Sequence, residues 1–180
     1  MKQALLVIDV QNDYFPQGKM ELVQPELALN NIKQLEQFFI EKNLPIIYIQ
    51  HINPPQASFF QENSEGVKLH ADLKADHPDF IVKKCYPNSF LETNLAELLQ
   101  SQQVGQLVIT GMMTHMCIDS GTRAAKEFGY QPILIADATA TRDLSHNGKT
   151  VKAEDVQHAF LSALSVFANV QNTTDFLANA

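Results

Sequence analysis

The chain has no tryptophan, only two cysteines in 180 residues, and no apolar run approaching the length that spans a bilayer. Two cysteines cannot form a disulfide framework, and they fit a reducing compartment better than a secreted one, so the expected location is the cytoplasm. The apolar stretch near the N-terminus, MKQALLVIDVQND, has one lysine before it, is followed at once by polar and acidic residues, and shows no small-residue cleavage site. It reads as a first core strand and not as a leader. Basic residues are also scarce: 13 Lys and Arg against 20 Asp and Glu give a formal charge of −7, and no basic run occurs. That balance argues against nucleic acid and against an anionic membrane as partners, and leaves a small molecule as the expected ligand.

What is present is an ordinary globular composition, 45% hydrophobic and 18% charged, in a length that suits a single α/β domain over residues 1–180. Apolar runs at Ala4–Val10, Pro45–Gln50, Phe80–Val82, Leu107–Thr110 and Pro132–Ala136 read as strands, with a weaker sixth near Phe167–Gln171. Helical patterns alternate with them at Pro25–Lys42, Leu91–Gln102, Cys117–Phe128 and Ala153–Val166. Continuous apolar strands separated by helices predict a three-layer, doubly wound α/β fold, a mostly parallel sheet of about six strands with helices on both faces. Ligands of such sheets bind beyond the carboxyl ends of the strands, which is where functional side chains are sought. The longest irregular stretch, Asn53–His77, is expected to fold over the site as a loop or lid.

Three residues meet that criterion. Cys117 follows the strand ending TG and stands where helical periodicity begins. At a helix N-terminus, free N–H groups and the helix dipole favour a thiolate and hence a nucleophile. Asp9 lies in the apolar run LLVIDV, where a carboxylate needs a partner. Lys84 ends FIVKK, and a parallel sheet brings the ends of these three strands together. Asp9 would then take the thiol proton as general base, with the Lys84 ammonium stabilising both anions. Each also has a plain structural reading: a buried small thiol, a strand-end cap and a solvated edge lysine. Asn12, Asp13 and Asp137 read as turn and loop-fixing residues.

Taken together, LLVIDVQNDYF, IVKKCYPNSFLETNL, LVITGMMTHMCIDSGTRAAKEFGY, LIADATATRD and HAFLSALSVFANVQNTTDFL resemble the isochorismatase-like cysteine hydrolases, the family of nicotinamidases and carbamoyl-amide hydrolases. The resemblance spans nearly the whole chain. It implies a catalytic triad of Asp9, Lys84 and Cys117, with Lys84 preferred to Lys83 because the family lysine lies six residues before Phe90 of the NSF motif. It also implies a non-proline cis peptide between Met112 and Met113, an oxyanion hole from the N–H groups of Met113 and Cys117, and assembly as a homodimer or tetramer. Gln11, Phe15, His51, Tyr86, Phe90 and His115 stand beside the motifs and are candidate substrate-binding residues.

Departures from the family narrow the chemistry. Metal-using nicotinamidases carry Asp-x-His and a further histidine after the second strand, whereas this chain reads YIQHINPPQASFF, so no metal and no cofactor is expected. Vinyl-ether-cleaving isochorismatases usually lack the cysteine that is present here. The expected activity is therefore hydrolysis of an amide or carbamoyl C–N bond through a thioester. The competing readings are a redox-sensitive thiol, in which Cys85 could resolve an oxidised Cys117, a ligand-binding protein on the same fold, and an ether hydrolase within the family. A phospho-receiver domain is disfavoured because no acidic cluster is present to hold magnesium.

Overall fold

The structure is a computed structural model, and it describes residues 1–77 and 80–179. Six strands form one parallel sheet: β1 (Gln3–Ile8), β2 (Ile46–His51), β3 (Ile81–Lys84), β4 (Gln106–Met112), β5 (Gln131–Ala140) and β8 (Asn169–Gln171). Their spatial order is β3-β2-β1-β4-β5-β8. The chain winds outward from β1 through β2 to β3, then returns to the other side of β1 and winds through β4 and β5 to β8. The switch point therefore falls between β1 and β4, where the doubly wound rule locates ligand sites.

Period-two alternation divides the strand side chains between two apolar layers. Leu5, Val7, Val108, Met112, Ile133 and Ile135 pack with α1 (Pro25–Glu41) and α5 (Thr173–Asn179) through Leu29, Ile32, Leu35, Phe39 and Phe176. Leu6, Ile8, Ile47, Ile49, Val82, Leu107 and Ile109 face the other way. They meet α2 (Leu95–Ser101), α3 (Asp119–Glu127) and α4 (Ala153–Leu164) through Leu95, Leu99, Ala124, Ala125 and Leu164. Helix α1 has proline at its start, where the missing N–H costs nothing. Among the described residues no helix is long and apolar enough to cross a membrane.

The three-layer architecture and all six sheet strands agree with the pattern read from the sequence. Three local features do not. The second helix begins at Leu95 and not Leu91, because Leu91–Asn94 form turns and Thr93 Oγ1 takes the Leu95 N–H at 3.3 Å. An exposed hairpin, β6 (Leu144–His146) with β7 (Lys149–Val151), and the short helix α5 lie in stretches whose apolar pattern was too brief to read. Gly111 does not end its strand: it lies inside β4 with φ +118°, at a register shift against β5. A Cβ there would meet the Ile8 backbone, including its nitrogen at 2.6 Å. Gly111→Ala is expected to cost roughly 2–6 kcal/mol in chemical denaturation, from positive φ and overpacking combined; a wild-type midpoint would contradict this account of the β1–β4 contact.

Glu36 of α1 is fully buried, accepting from the Tyr48 hydroxyl at 2.6 Å and the Lys74 N–H at 3.0 Å, while its Oε2 has no hydrogen-bond partner among the described residues. Burial raises its pKa, against the opposing hydrogen bonds from Tyr48 and Lys74. A raised carboxyl favours the neutral form in the folded state, so this contribution is complete below the unfolded value of about 4.3 and is lost as pH rises through the folded one. Glu36→Gln keeps both accepted bonds. It should therefore gain stability relative to wild type as pH rises from about 4 to 8, and a difference independent of pH would contradict the assignment.

Candidate active site

At the switch point the strand ends carry polar side chains in place of the next apolar ones. Ile47 and Ile49 are followed on the same face by His51, and Val82 by Lys84, so the alternation itself aims both side chains into the layer that contains Cys117. The parallel register sets Lys84 beside His51 and Ile49 beside Ile8, which leaves His51 between Lys84 and the residue after Ile8. That residue is Asp9. It lies just beyond β1 with φ 53°, a left-handed conformation that aspartate tolerates better than most side chains. Its N–H still bonds the Ile49 carbonyl at 3.0 Å.

Cys117 reaches the same point from β4. The bond between Met112 and Met113 is cis. A π-helical turn, Thr114–Ile118, then leads into α3, so Cys117 occupies the turn that precedes the helix proper. The Met113 carbonyl accepts the N–H groups of Met116 at 3.0 Å and Ile118 at 3.2 Å, passing over that of Cys117.

The side chains converge on one ammonium. Lys84 Nζ lies 2.7 Å from Asp9 Oδ2, 2.8 Å from His51 Nδ1 and 3.3 Å from Cys117 Sγ. Asp9, His51, Lys84 and Cys117 are all buried. Burial alone would push the lysine down, but the charge of Asp9 and the hydrogen bonds to Asp9 and Cys117 carry it above its ordinary value. Burial pushes the Cys117 thiol well up, Asp9 adds to the rise, and Lys84 opposes it without prevailing. Burial and Asp9 therefore oppose the thiolate that the helix N-terminus was expected to favour, and the sulfur sits beside an existing ion pair. His51 is pushed below its ordinary value by burial and by Lys84.

Asp9, His51 and Cys117 offer three donor atoms within 4.8 Å of one another, a grouping that could hold a metal ion. The Lys84 ammonium is within hydrogen-bond reach of all three, so a cation already fills the position a divalent ion would need. These residues do not fit a metal.

The candidate substrate residues separate into two groups. Gln11 is fully buried and fully engaged: Nε2 donates to the carbonyls of His51 at 2.9 Å and Val67 at 2.7 Å, and Oε1 accepts the His51 N–H at 2.8 Å. Phe90 stacks on Phe128 at 4.7 Å within the helix-covered layer. Both ring nitrogens of His51 are used inside the protein. Phe15 is buried with its ring tilted against His70, centroids 4.3 Å apart, His115 is half-buried with Nδ1 2.6 Å from Thr141 Oγ1, and Tyr86 is exposed. Burial and the charge of Arg142 push His115 down.

The segment from Asn53 is tied down over the β1 end as expected, and Asp13 is its anchor. Its carboxylate accepts the N–H groups of Lys19 at 3.1 Å and Phe60 at 2.6 Å, and its N–H bonds the Gly66 carbonyl at 3.0 Å. Asp137 likewise holds Thr173, through its N–H and hydroxyl at 2.8 Å each. Sequence reasoning did not single out Asn53, which holds His51, or Tyr14, whose hydroxyl is pushed well up by burial among Phe59 and Phe60 and by the charge of Asp9. A groove of about 760 Å³ between α1, the end of β5 and α4 is lined by Thr141, the partner of His115, and by none of Asp9, His51, Lys84 and Cys117.

Residues 3–175 match the isochorismatase domain family. The chain belongs to the isochorismatase family. It is 45% identical to the isochorismatase family protein YddQ of Bacillus subtilis over 98% of this chain and 99% of that protein. The crystal structure of an isochorismatase-family hydrolase from Oleispira antarctica superposes with a TM-score of 0.95 at 41% identity, covering 99% of this chain and 97% of that one. Nicotinamidase 3 of Arabidopsis thaliana is a more distant relative, 27% identical over 77% of this chain and 73% of its own length. Membership makes the protein an isochorismatase-like hydrolase and agrees with the resemblance drawn from the sequence motifs.

Proposed function

We propose that this isochorismatase-family protein hydrolyses an amide or carbamoyl C–N bond of a small molecule by metal-independent cysteine catalysis. The observation that carries the reading is the convergence of Asp9, Lys84 and Cys117 on one buried point, with the ammonium bonded to both the carboxylate and the sulfur. The nicotinamidase among the relatives supports the choice of an amide.

The chemistry follows from the geometry. Asp9 Oδ1 has no hydrogen-bond partner among the described residues, so it has a lone pair free for the thiol proton. As that proton moves to Asp9, Cys117 Sγ attacks the carbonyl carbon and the carbonyl oxygen becomes an oxyanion. The N–H groups of Met113 and Cys117 are its donors, a contribution of about 3–4 kcal/mol per donor in such sites. Collapse breaks the C–N bond, and the departing nitrogen takes the proton from Asp9. Water, deprotonated by Asp9, then attacks the thioester; the acid leaves and Asp9 returns its proton to the sulfur. Lys84 stays charged throughout, which matters because proton transfer from thiol to carboxylate moves negative charge from oxygen to sulfur, and Nζ touches both.

Of the residues beside the motifs, His115, half-buried, and Tyr86, exposed, are the ones left for a substrate to meet, since Phe15 is buried in the core. The test is ammonia release from a panel of small amides, ureido and carbamoyl compounds, nicotinamide included, with chelator present. Chelator-resistant release that disappears in Cys117→Ala is the expected result. Release by the variant at the wild-type rate, or cleavage confined to a vinyl ether, would overturn the reading.

A further inference from the structure

His51 has no part in that reaction sequence, yet it is the third group on the Lys84 ammonium. An ammonium offers donors only, so His51 Nδ1, at 2.8 Å, must be the acceptor and carry no proton. The proton of the neutral ring is then on Nε2, which faces Asn53 Oδ1 at 2.9 Å. Asn53 is itself oriented, since its Nδ2 donates to the Phe59 carbonyl at 3.0 Å and leaves Oδ1 as the acceptor. The chain of donors runs one way: Lys84 to His51, His51 to Asn53, Asn53 to the loop backbone.

All three N–H bonds of Lys84 are thereby given directions, to Asp9, His51 and Cys117. The other groups facing the ring are the Asp9 carboxylate at 4.0 Å, Cys117 Sγ, and the Phe60 ring at 6.1 Å between centroids. None of these replaces the Nδ1 acceptor. Without it one donor of a buried ammonium is orphaned, and the ammonium can turn to satisfy that donor at the expense of its bond to sulfur.

We propose that His51 is a positioning residue, which holds through Nδ1 the Lys84 N–H that points at Cys117 Sγ, and that Asn53 sets the tautomer that lets it do so. The proposal rests on the triad reading above for its relevance to catalysis, but its test does not. The probe is alkylation of Cys117 by iodoacetamide, followed by peptide mass spectrometry in a Cys85→Ser background, because Cys85 is the exposed free thiol. Losing the acceptor should weaken thiolate stabilisation, so His51→Leu is expected to slow alkylation about tenfold at fixed pH. His51→Asn, whose amide oxygen can sit where Nδ1 was, should recover most of that rate. Asn53→Leu should also slow the reaction, but should add nothing in the His51→Asn background, a non-additivity that simple loosening would not produce.

A second readout needs no chemistry at sulfur. Long-range ¹⁵N–¹H spectra of histidine-labelled protein, with His51 identified by its absence in His51→Asn, should show a neutral Nε2–H ring near pH 7 that shifts in Asn53→Leu. An imidazolium or an Nδ1–H ring in the wild type would overturn the proposal. So would wild-type alkylation rates in folded His51→Leu and Asn53→Leu. Should His51→Leu fail to fold, Asn53→Leu and the double variant decide alone. Ammonia release failing across all substrates while these results hold would reject the amide and carbamoyl reading and leave the positioning role standing.

Discussion

Cys117→Ala should lose roughly four orders of magnitude or more of hydrolytic turnover, the scale seen when the nucleophile is removed from a unit that acts together. The loss should appear in kcat and not as unfolding. Cys117 is small and packed against apolar neighbours of the helix-covered layer, and alanine keeps most of its volume. Cys117→Ser should be almost as inactive. A hydroxyl is a far harder proton to remove than even this raised thiol, and Asp9 is the only carboxylate in the cluster that could receive it. Circular dichroism and a thermal melt on the same preparations separate catalysis from folding. A folded Cys117→Ala protein that turns over at the wild-type rate would remove the nucleophile from the account.

The second large effect is on stability. Lys84→Met takes one partner out of a fully buried ion pair and leaves the Asp9 carboxylate without its donor. Such removals cost roughly 3–5 kcal/mol, because the remaining charge stays desolvated, and for a chain of this size that is a fall of roughly 6–20 °C in Tm. The double variant Asp9→Asn, Lys84→Met should recover at least half of the loss, since no charge is then left unpaired and asparagine keeps the tolerance of a left-handed backbone at position 9. The contribution of Lys84 has a definite pH window. Its folded pKa is raised, so its stabilisation is fully present below the unfolded value of about 10.4 and is lost as pH rises through the folded one. Through Lys84, wild type should therefore lose its margin over the double variant in alkali. If Lys84→Met melts with the wild type, the pair is not the buried contact described here.

The sheet was legible because buried parallel strands leave an unmistakable trace: six apolar runs, each too short for a helix, at the intervals that crossover helices require. The convergence of Asp9, Lys84 and Cys117 was legible for a related reason. In a doubly wound sheet every strand points its carboxyl end the same way, so strand-terminal polar residues must meet. What the sequence could not show was the state of the sulfur. A cysteine before a helix suggests a stabilised thiolate, but the π-helical turn sinks Cys117 into an apolar layer beside Asp9, and burial with a neighbouring carboxylate pushes the thiol up against the pull of Lys84.

His51 was legible as a polar residue near the site but not in its orientation. The row Ile47, Ile49, His51 fixes its face, and the register with β3 fixes Lys84 as its neighbour, yet register is a tertiary fact. Gln11 and Phe90 were read as substrate residues from proximity in sequence. One proves to tie the end of β2 to the loop at Val67 with its amide, and the other to fill the core. Gly111 was read as the end of its strand; the real demand on it is the close approach of β1, which no single-strand pattern reports.

The central claim is that Cys117 forms a covalent acyl intermediate. The most direct measurement is to mix wild-type protein with an activated ester such as 4-nitrophenyl acetate, quench in acid, and map the acetyl group by peptide mass spectrometry. The account predicts acetylation of the peptide containing Cys117, its removal by hydroxylamine, and its absence in Cys117→Ala. An acetyl group found only on the exposed Cys85, or on neither cysteine while the ester is still turned over, would contradict it.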